Sequence, residues 1–404
     1  MLKSKRNASD QTLRVTAILP LSGHGHPILR GASDQLKRQG LRWSLRPVEP
    51  GKGYVEKELR EWDPQLALIQ AGHERAVEWC RANERPYVLL LGAESDGGKP
   101  KVSVGIDDRA VGRMAADYFR RRGHRHFGYV GNKDHPFSLL RHAGFEGVLK
   151  AHGFSMDALL HASPEQSAPS EQRVIYHQAI GKWLAKLPKP VAVFASNDVD
   201  ALSVVQAATE AGLDVPADVS VMGAGDDPLI CKLCAPDISS VKLPFYRLGV
   251  KAVELLMQSL RAKKDDGRAQ SQIELPPVTT VTRGSSNFQR VEDPEVARAI
   301  AYFHRHIEKP VKIKHLLVEL NSSRANLERR FKDELGHTPL VELRRLRIER
   351  ACRLLADTNL NNAEIAERCG ITSNIRFVTS FKQLMGTTPA QYRADFHTEN
   401  LDSG

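Results

Sequence analysis

Nowhere in the 404 residues is there the run of about 18 apolar side chains that a membrane-spanning helix needs, and the basic amino terminus lacks the apolar segment of a secretory signal. Membrane insertion and secretion are thereby disfavoured, and a cytoplasmic protein is expected. Cysteine is scarce: Cys80, Cys231, Cys234, Cys352 and Cys369 are odd in number and follow no disulfide-framework spacing, which suits a reducing compartment. Cys231-x-x-Cys234 has no second pair and no nearby histidine, so it reads as two ordinary buried thiols and not as a metal site. Also missing are a P-loop, a G-x-S-x-G elbow, a metal-spaced histidine cluster and a complete dinucleotide turn. Gly23-His24-Gly25-His26 follows the first apolar run but is too polar and incomplete for that turn. No cofactor is expected, and an enzyme has no catalytic constellation to rest on.

What is present is a surplus of positive charge. Lysine and arginine number 58 against 48 acidic residues, a net +10, which favours a polyanionic partner. The length suits two or three domains.

Residues 1–13 are polar and basic and read as a disordered leader. From there to about 284, short unbroken apolar runs (15–21, 66–70, 87–91, 102–106, 127–130, 191–195 and 219–222) alternate with stretches of helical periodicity. Strands buried on both faces and joined by helices look like this, so an α/β region with parallel sheets is predicted over 14–284. Residues 261–272 read as a charged surface loop. Residues 285–293 read as a linker ending before Pro294, where a helix starts. An all-α domain is expected over 294–397, followed by a tail at 398–404.

Within that domain the pattern F-K-x3-G-x-T-P occurs twice, at Phe331-Lys332, Gly336 and Thr338-Pro339, and again at Phe381-Lys382, Gly386 and Thr388-Pro389. A duplicated pattern marks two copies of one supersecondary unit. Each copy reads as a helix-turn-helix, over about 312–332 and 362–384. In the first, Ile313, Leu316, Leu317 and Leu320 form an apolar face, Asn321 takes the turn, Ser323 caps the second helix, and Leu327 and Phe331 point inward. In the second, Ile365, Ala366 and Cys369 form the face, Gly370 takes the turn, Ser373 caps, and Phe377 and Phe381 point inward. A connecting helix over about 338–357 would span ~28 Å, near the ~34 Å between successive major-groove faces. Arg344, Arg345 and Arg347 on it either touch phosphates or pair with Glu342 and Glu349.

The doubled pattern, together with Arg345, Arg347-Ile348-Glu349-Arg350-Ala351, Leu354-Leu355 and Ala363-Glu364-Ile365-Ala366, resembles the AraC family of bacterial transcription regulators. The resemblance covers about the last quarter of the chain and implies that exposed positions on both recognition helices contact bases. Those positions are Arg324, Ala325, Glu328 and Arg329 on the first helix, and Asn374, Ile375, Arg376 and Thr379 on the second. Arg329 and Arg376 suit guanine and Asn374 suits adenine. Leu317 departs from the small residue common at its position.

The earlier region resembles the sugar-binding domain of the LacI/GalR repressors and of periplasmic binding proteins. The residues that carry the likeness run from Arg122-Gly123-His124 to Gly131, then Arg141 with Gly144-Phe145, then Ala195-Ser196-Asn197-Asp198, and Gly212 to Gly223. It implies two lobes that clamp a small polar ligand at their strand ends. The positions carried over are Arg141, Asn197 and Asp198, with Phe137 to stack on the ligand and Asp226 as a further carboxylate. Gly225 stands where that family places a ligand-contacting Asp. A sugar sensor ahead of an AraC-type reader implies a regulator, expected to be an activator, that takes xylose or a related sugar. It would bind promoter DNA as a homodimer and work with RNA polymerase. The alternatives are a sensor answering to a non-sugar ligand or a protein partner, and an α/β sugar-metabolising enzyme fused to a helical domain.

Overall fold

The computed structural model describes residues 12–40, 42–49, 55–92, 102–161, 170–261, 271–287, 293–311, 313–385 and 387–393. In its first lobe β1 (Leu13–Ile18), α1 (Gly25–Arg38), β2 (Trp43–Val48), α2 (Val55–Trp62), β3 (Leu66–Gln70), α3 (Glu74–Ala82), β4 (Tyr87–Leu90) and β5 (Val102–Ile106) follow one another. The second lobe begins with α4 (Asp108–Arg121), β6 (His126–Asn132), α5 (Pro136–Ala151), β7 (Asp157–His161) and α6 (Ser170–Lys186). It continues with β8 (Val191–Ala195), α7 (Asp198–Glu210), β9 (Val219–Gly225) and β10 (Ser239–Lys242). The chain then returns: α8 (Phe245–Arg261) packs on α1, and β11 (Ser271–Leu275) joins the first sheet. Finally β12 (Thr279–Val281) closes the second sheet, antiparallel to β10.

Each lobe is a six-stranded sheet, in the orders β11-β5-β4-β3-β1-β2 and β12-β10-β9-β8-β6-β7. The apolar runs became central strands because helices cover both faces: β8 is buried at every residue. The passages between lobes at 106–108, 242–245 and 275–279 are laced together. The Asp107 N–H donates to the Leu275 carbonyl at 2.9 Å, and the Val278 N–H donates to that of Lys242 at 2.9 Å. The three passages therefore run side by side at the C-terminal ends of β5, β10 and β11.

The C-terminal region is helical: α9 (Pro294–Arg305), α10 (Ile313–Leu320), α11 (Arg324–Leu335), α12 (Pro339–Asp357), α13 (Asn362–Arg368) and α14 (Asn374–Met385). Helix α12 serves two half-cores. Its Leu343 and Leu346 pack with Phe303, Leu320 and Phe331, whereas Ile348, Ala351 and Leu355 pack with Ile365, Phe377 and Phe381.

Several expectations need correction. Leu13 already pairs with Trp43, so the sheet begins within the expected leader, of which residues 1–11 lie outside the described residues. Ser271 and Gln272 open β11 and are not loop; 262–270 lie outside the described residues. Ser285 and Ser286, assigned to the linker, are fully buried in the second lobe. The Ser285 hydroxyl donates to the Val221 carbonyl (2.7 Å) and accepts the Ser239 N–H (2.9 Å). Small hydroxyl residues act here as buried pegs, so the second lobe's packing runs through Ser286. Residues 288–292, Lys312, Gly386 and 394–404, with the expected tail, lie outside the described residues.

Candidate ligand cleft and nucleic-acid interface

The reader's two units are built from the same local devices. Asn321 holds φ +52° in the first turn and Gly370 φ +65° in the second. The second turn is the tighter: a Cβ on Gly370 would sit 2.6 Å from the carbonyl oxygens of both Ile307 and Lys309. Ser323 accepts the Asn326 N–H at 3.2 Å and Ser373 that of Arg376 at 3.4 Å, capping α11 and α14. Leu327, Phe331, Phe377 and Phe381 are buried. That leaves Arg324, Ala325, Arg329, Asn374, Ile375, Arg376 and Thr379 exposed, with Glu328 half-buried beside them. Arg324 pairs with Glu328 at 2.9 Å and Arg329 with Asp333 at 3.3 Å.

On the connecting helix the open question about the arginines resolves by residue. Arg345 is held by Glu342 (2.5 Å) and Glu349, and Arg347 donates to the Lys309 carbonyl at 2.7 Å. Arg344 is exposed.

The cleft residues named above come together in the second lobe. Arg141, on α5, is 5% exposed. Its guanidinium pairs with Asp108 (2.7 Å), donates to the Ser196 carbonyl (2.6 Å) and lies 4.8 Å over the Phe137 ring. Phe137 in turn stacks on His135, with centroids 5.3 Å apart. Burial pushes the Asp108 carboxyl up, and Arg141 opposes that shift. Asn197 caps α7, accepting the Asp200 N–H at 2.8 Å. Asp198 turns inward: it accepts the Ser240 hydroxyl (2.6 Å) and the Asp227 N–H (2.9 Å). Burial raises its carboxyl to about 6 against those two bonds.

Gly225 now has a physical account. At φ +139°, a Cβ there would lie 2.8 Å from the Asp198 carboxylate. An Asp at this position is incompatible with Asp198 folded beneath it. Asp226 does not take over as a free acceptor. Its carboxylate pairs with Arg283 at 2.6 Å and its N–H donates to Ser240 at 3.0 Å, so it is engaged inside the second lobe. The carboxylate that faces the first lobe is that of Asp227, whose Oδ2 lies 3.5 Å from where a Cβ of Gly23 would sit.

Opposite it stands His24, a residue the sequence offered only as part of a failed dinucleotide turn. Its Nε2 is 3.1 Å from the Gln70 side-chain oxygen and its ring is 5.6 Å from Phe245. Burial lowers its pKa, opposed by Gln70 and Asp227. Its place directly after the first strand was the signal available.

Known proteins bear on this geometry. Residues 116–286 match the periplasmic binding protein-like domain family, and residues 316–395 match a helix-turn-helix domain family. The xylose operon regulatory protein of Escherichia coli strain K12 is 25% identical over 91% of this chain and 93% of its own length. That of Haemophilus influenzae strain Rd is 28% identical over 72% and 74%. The chain is a homologue of the xylose operon regulators, an AraC-type reader behind a periplasmic-binding-protein-like sensor. A solved structure described as the xylose-binding transcription activator xylR shares the fold, with a TM-score of 0.60 and 23% identity over 96% of this chain and 99% of that one. In this chain the helix-turn-helix match falls in the C-terminal quarter. Among the described residues no helix is long and apolar enough to cross a membrane.

Proposed function

We propose that this chain is a sugar-responsive regulator of transcription in the cytoplasm, and not an enzyme, that reads promoter DNA with both helix-turn-helix units. The observation that carries the reading is the placement of the exposed residues and of half-buried Glu328 among them. Arg324, Ala325, Glu328 and Arg329 lie on one helix, and Asn374, Ile375, Arg376 and Thr379 on its counterpart, each behind a buried aromatic. One 19-residue helix carries both units. Arg376 and Arg329 offer two-pronged donors for guanine, Asn374 matches adenine, and Ile375 offers an apolar surface to a thymine methyl.

The effector is a small polyhydroxylated molecule, xylose or a related sugar. Phe137 supplies a flat apolar wall, Arg141 and Asn197 supply donors, Asp227 an acceptor, and His24 with Gln70 the facing polar groups from the first lobe. Asp198 and Asp226 brace the floor from within. A homodimer of sensors would set the spacing of two readers, and activation would follow from contact with RNA polymerase.

A gel-shift titration on duplexes with one or two half-sites, with and without D-xylose and its isomers, tests this. Sugar should raise affinity for paired half-sites far more than for one. Equal gains on both would place the switch within each reader. No effect of any sugar would favour the reading that Gly225 keeps alive, a sensor for a different ligand or a protein partner.

A further inference from the structure

Helix α12 presents Glu342, Arg345 and Glu349 at i, i+3 and i+7, on one face. Arg345 bonds both carboxylates, and His337 closes the far end on Glu342 at 2.8 Å. The near end is closed from another domain. Arg122, which ends α4 in the second lobe, places its guanidinium 2.9 Å from Glu349 and 3.4 Å from the Thr282 hydroxyl. That guanidinium lies 4.0 Å over the Tyr118 ring, and Arg122 is only 4% exposed.

A second contact falls beside it. Val281, the last residue of β12 in the second lobe's sheet, packs against the half-core formed by Ile348, Ala351 and Phe377. The second lobe thus lays a cation and a hydrophobe on the waist of α12, where the helix passes from one half-core to the other. An exposed ion pair at such a place would hold little. Here Arg122 is buried and Glu349 half-buried, and a pair withdrawn from water in this way adds little net stability over an apolar pair but costs heavily when one partner is removed, so it fixes an orientation. The contact also continues inward. Arg283, next to Thr282, pairs with Asp226, whose N–H meets Ser240, which donates to Asp198 under the cleft.

We propose that Arg122 and Glu349 form a docking pair that locks the waist of α12 onto the second lobe, so that both helix-turn-helix units move with that lobe as one body. Arg122 and Glu349 are positioning residues: they act on DNA reading through α12. The dock requires neither ligand nor DNA and so stands apart from the function proposed above. Its consequence is that any rotation of the second lobe carries the reader with it.

Backbone hydrogen exchange of the full chain, free of ligand and DNA, tests the dock. In Arg122→Met, peptides covering α12 should exchange on the order of tenfold faster or more, and in Glu349→Gln the last turn of α4 should do so. Each change is read in the domain that does not carry the substitution. The buried strand β8 should keep its protection in both variants, and the double variant should add nothing to the larger single effect. Unchanged protection of α12 in Arg122→Met, or of α4 in Glu349→Gln, would overturn the proposal. Opening of β8 in either variant would also overturn it, since the residues would then support a domain's own fold.

Discussion

The two helix-turn-helix units share left-handed turns, serine caps and a pair of inward apolar residues four apart, yet they show solvent different chemistry. On α11 the exposed arginines are already matched with acids of the same helix, Arg324 with Glu328 and Arg329 with Asp333. On α14 the corresponding surface holds Asn374, Arg376, Thr379 and an isoleucine that is 80% exposed. A ladder of opposite charges is nearly neutral and exchanges partners cheaply. An isoleucine held in water has no part in folding and suits an apolar partner.

Their anchors differ as well. Helix α11 is tied to α9 by Arg330, which pairs with Asp293 at 2.5 Å and Glu295 at 3.2 Å. The second unit leans on Val281 and on the Ile307 and Lys309 carbonyls beneath Gly370. One plan therefore carries two surfaces, one whose arginines are held by acids of their own helix and one whose polar and apolar side chains stand open.

The largest expected contrast is in acid. Glu342, beside the first half-core, is buried; burial raises its carboxyl, but His337 and Arg345 outweigh that and hold it at about 2. A folded value below the unfolded one gives stability that is present above pH of about 4.5 and is lost as pH falls toward about 2, some ~3 kcal/mol in all. Hydrogen exchange at pH 3 should show the first unit opening before the second, and Glu342→Gln, which mimics the protonated carboxyl, should bring that early opening to neutral pH and remove its dependence on acid. Simultaneous opening would mean that the two anchors are energetically alike.

Next are the turns. Gly370→Asn should lower stability by roughly 2–3 kcal/mol, through both positive φ and the carbonyls 2.6 Å from its Cβ. Asn321→Gly should change it by less than about 1 kcal/mol in denaturant melts. Comparable losses would deny that the second turn is the tighter.

In competition gel shifts, Arg376→Ala should weaken binding to a cognate site by about 1–3 kcal/mol and hardly affect random DNA. Arg324→Ala should cost less on the cognate site, since Arg324 must first leave Glu328. Equal losses on cognate and random DNA would reduce Arg376 to a phosphate contact. The smallest effect belongs to Ile375→Ala, about 1 kcal/mol or less and confined to operators with thymine at one position. A loss independent of sequence would remove Ile375 from base reading.

The reader was legible in the sequence because its determinants are local. A turn residue, a cap two or three positions on, and inward apolar residues spaced four apart all fall within one repeat, so Asn321, Ser323, Gly370 and Phe377 could be placed without knowing the fold. The central strands were legible for a related reason: buried on both faces, they read as unbroken apolar runs. Strands β2 and β7 sit at sheet edges with partly exposed side chains, and such strands leave only a weak pattern. The cleft depends on partners far apart in the chain. Asp198 meets Ser240, Asp226 meets Arg283, and His24 meets Gln70. No spacing rule announces those meetings. The resemblance found Arg141 and Asp198 but not that Asp108 and Ser240 already engage them. Arg122 stood in plain view in the segment that matched, and its partner lies in the other domain.

Val281 belongs to the sheet of one domain and to the core of the next. A C-terminal fragment cut out at residue 293 would therefore bare to water the apolar surface that Val281 covers, at a cost of about 1 kcal/mol. Sensors cannot be exchanged freely between regulators built this way. An incoming sensor must end its last strand with an apolar residue at the same place, or the graft must take residues 279–283 along with the helices. In this chain the seam between modules is drawn by packing, several residues ahead of the segment that composition marks as the join.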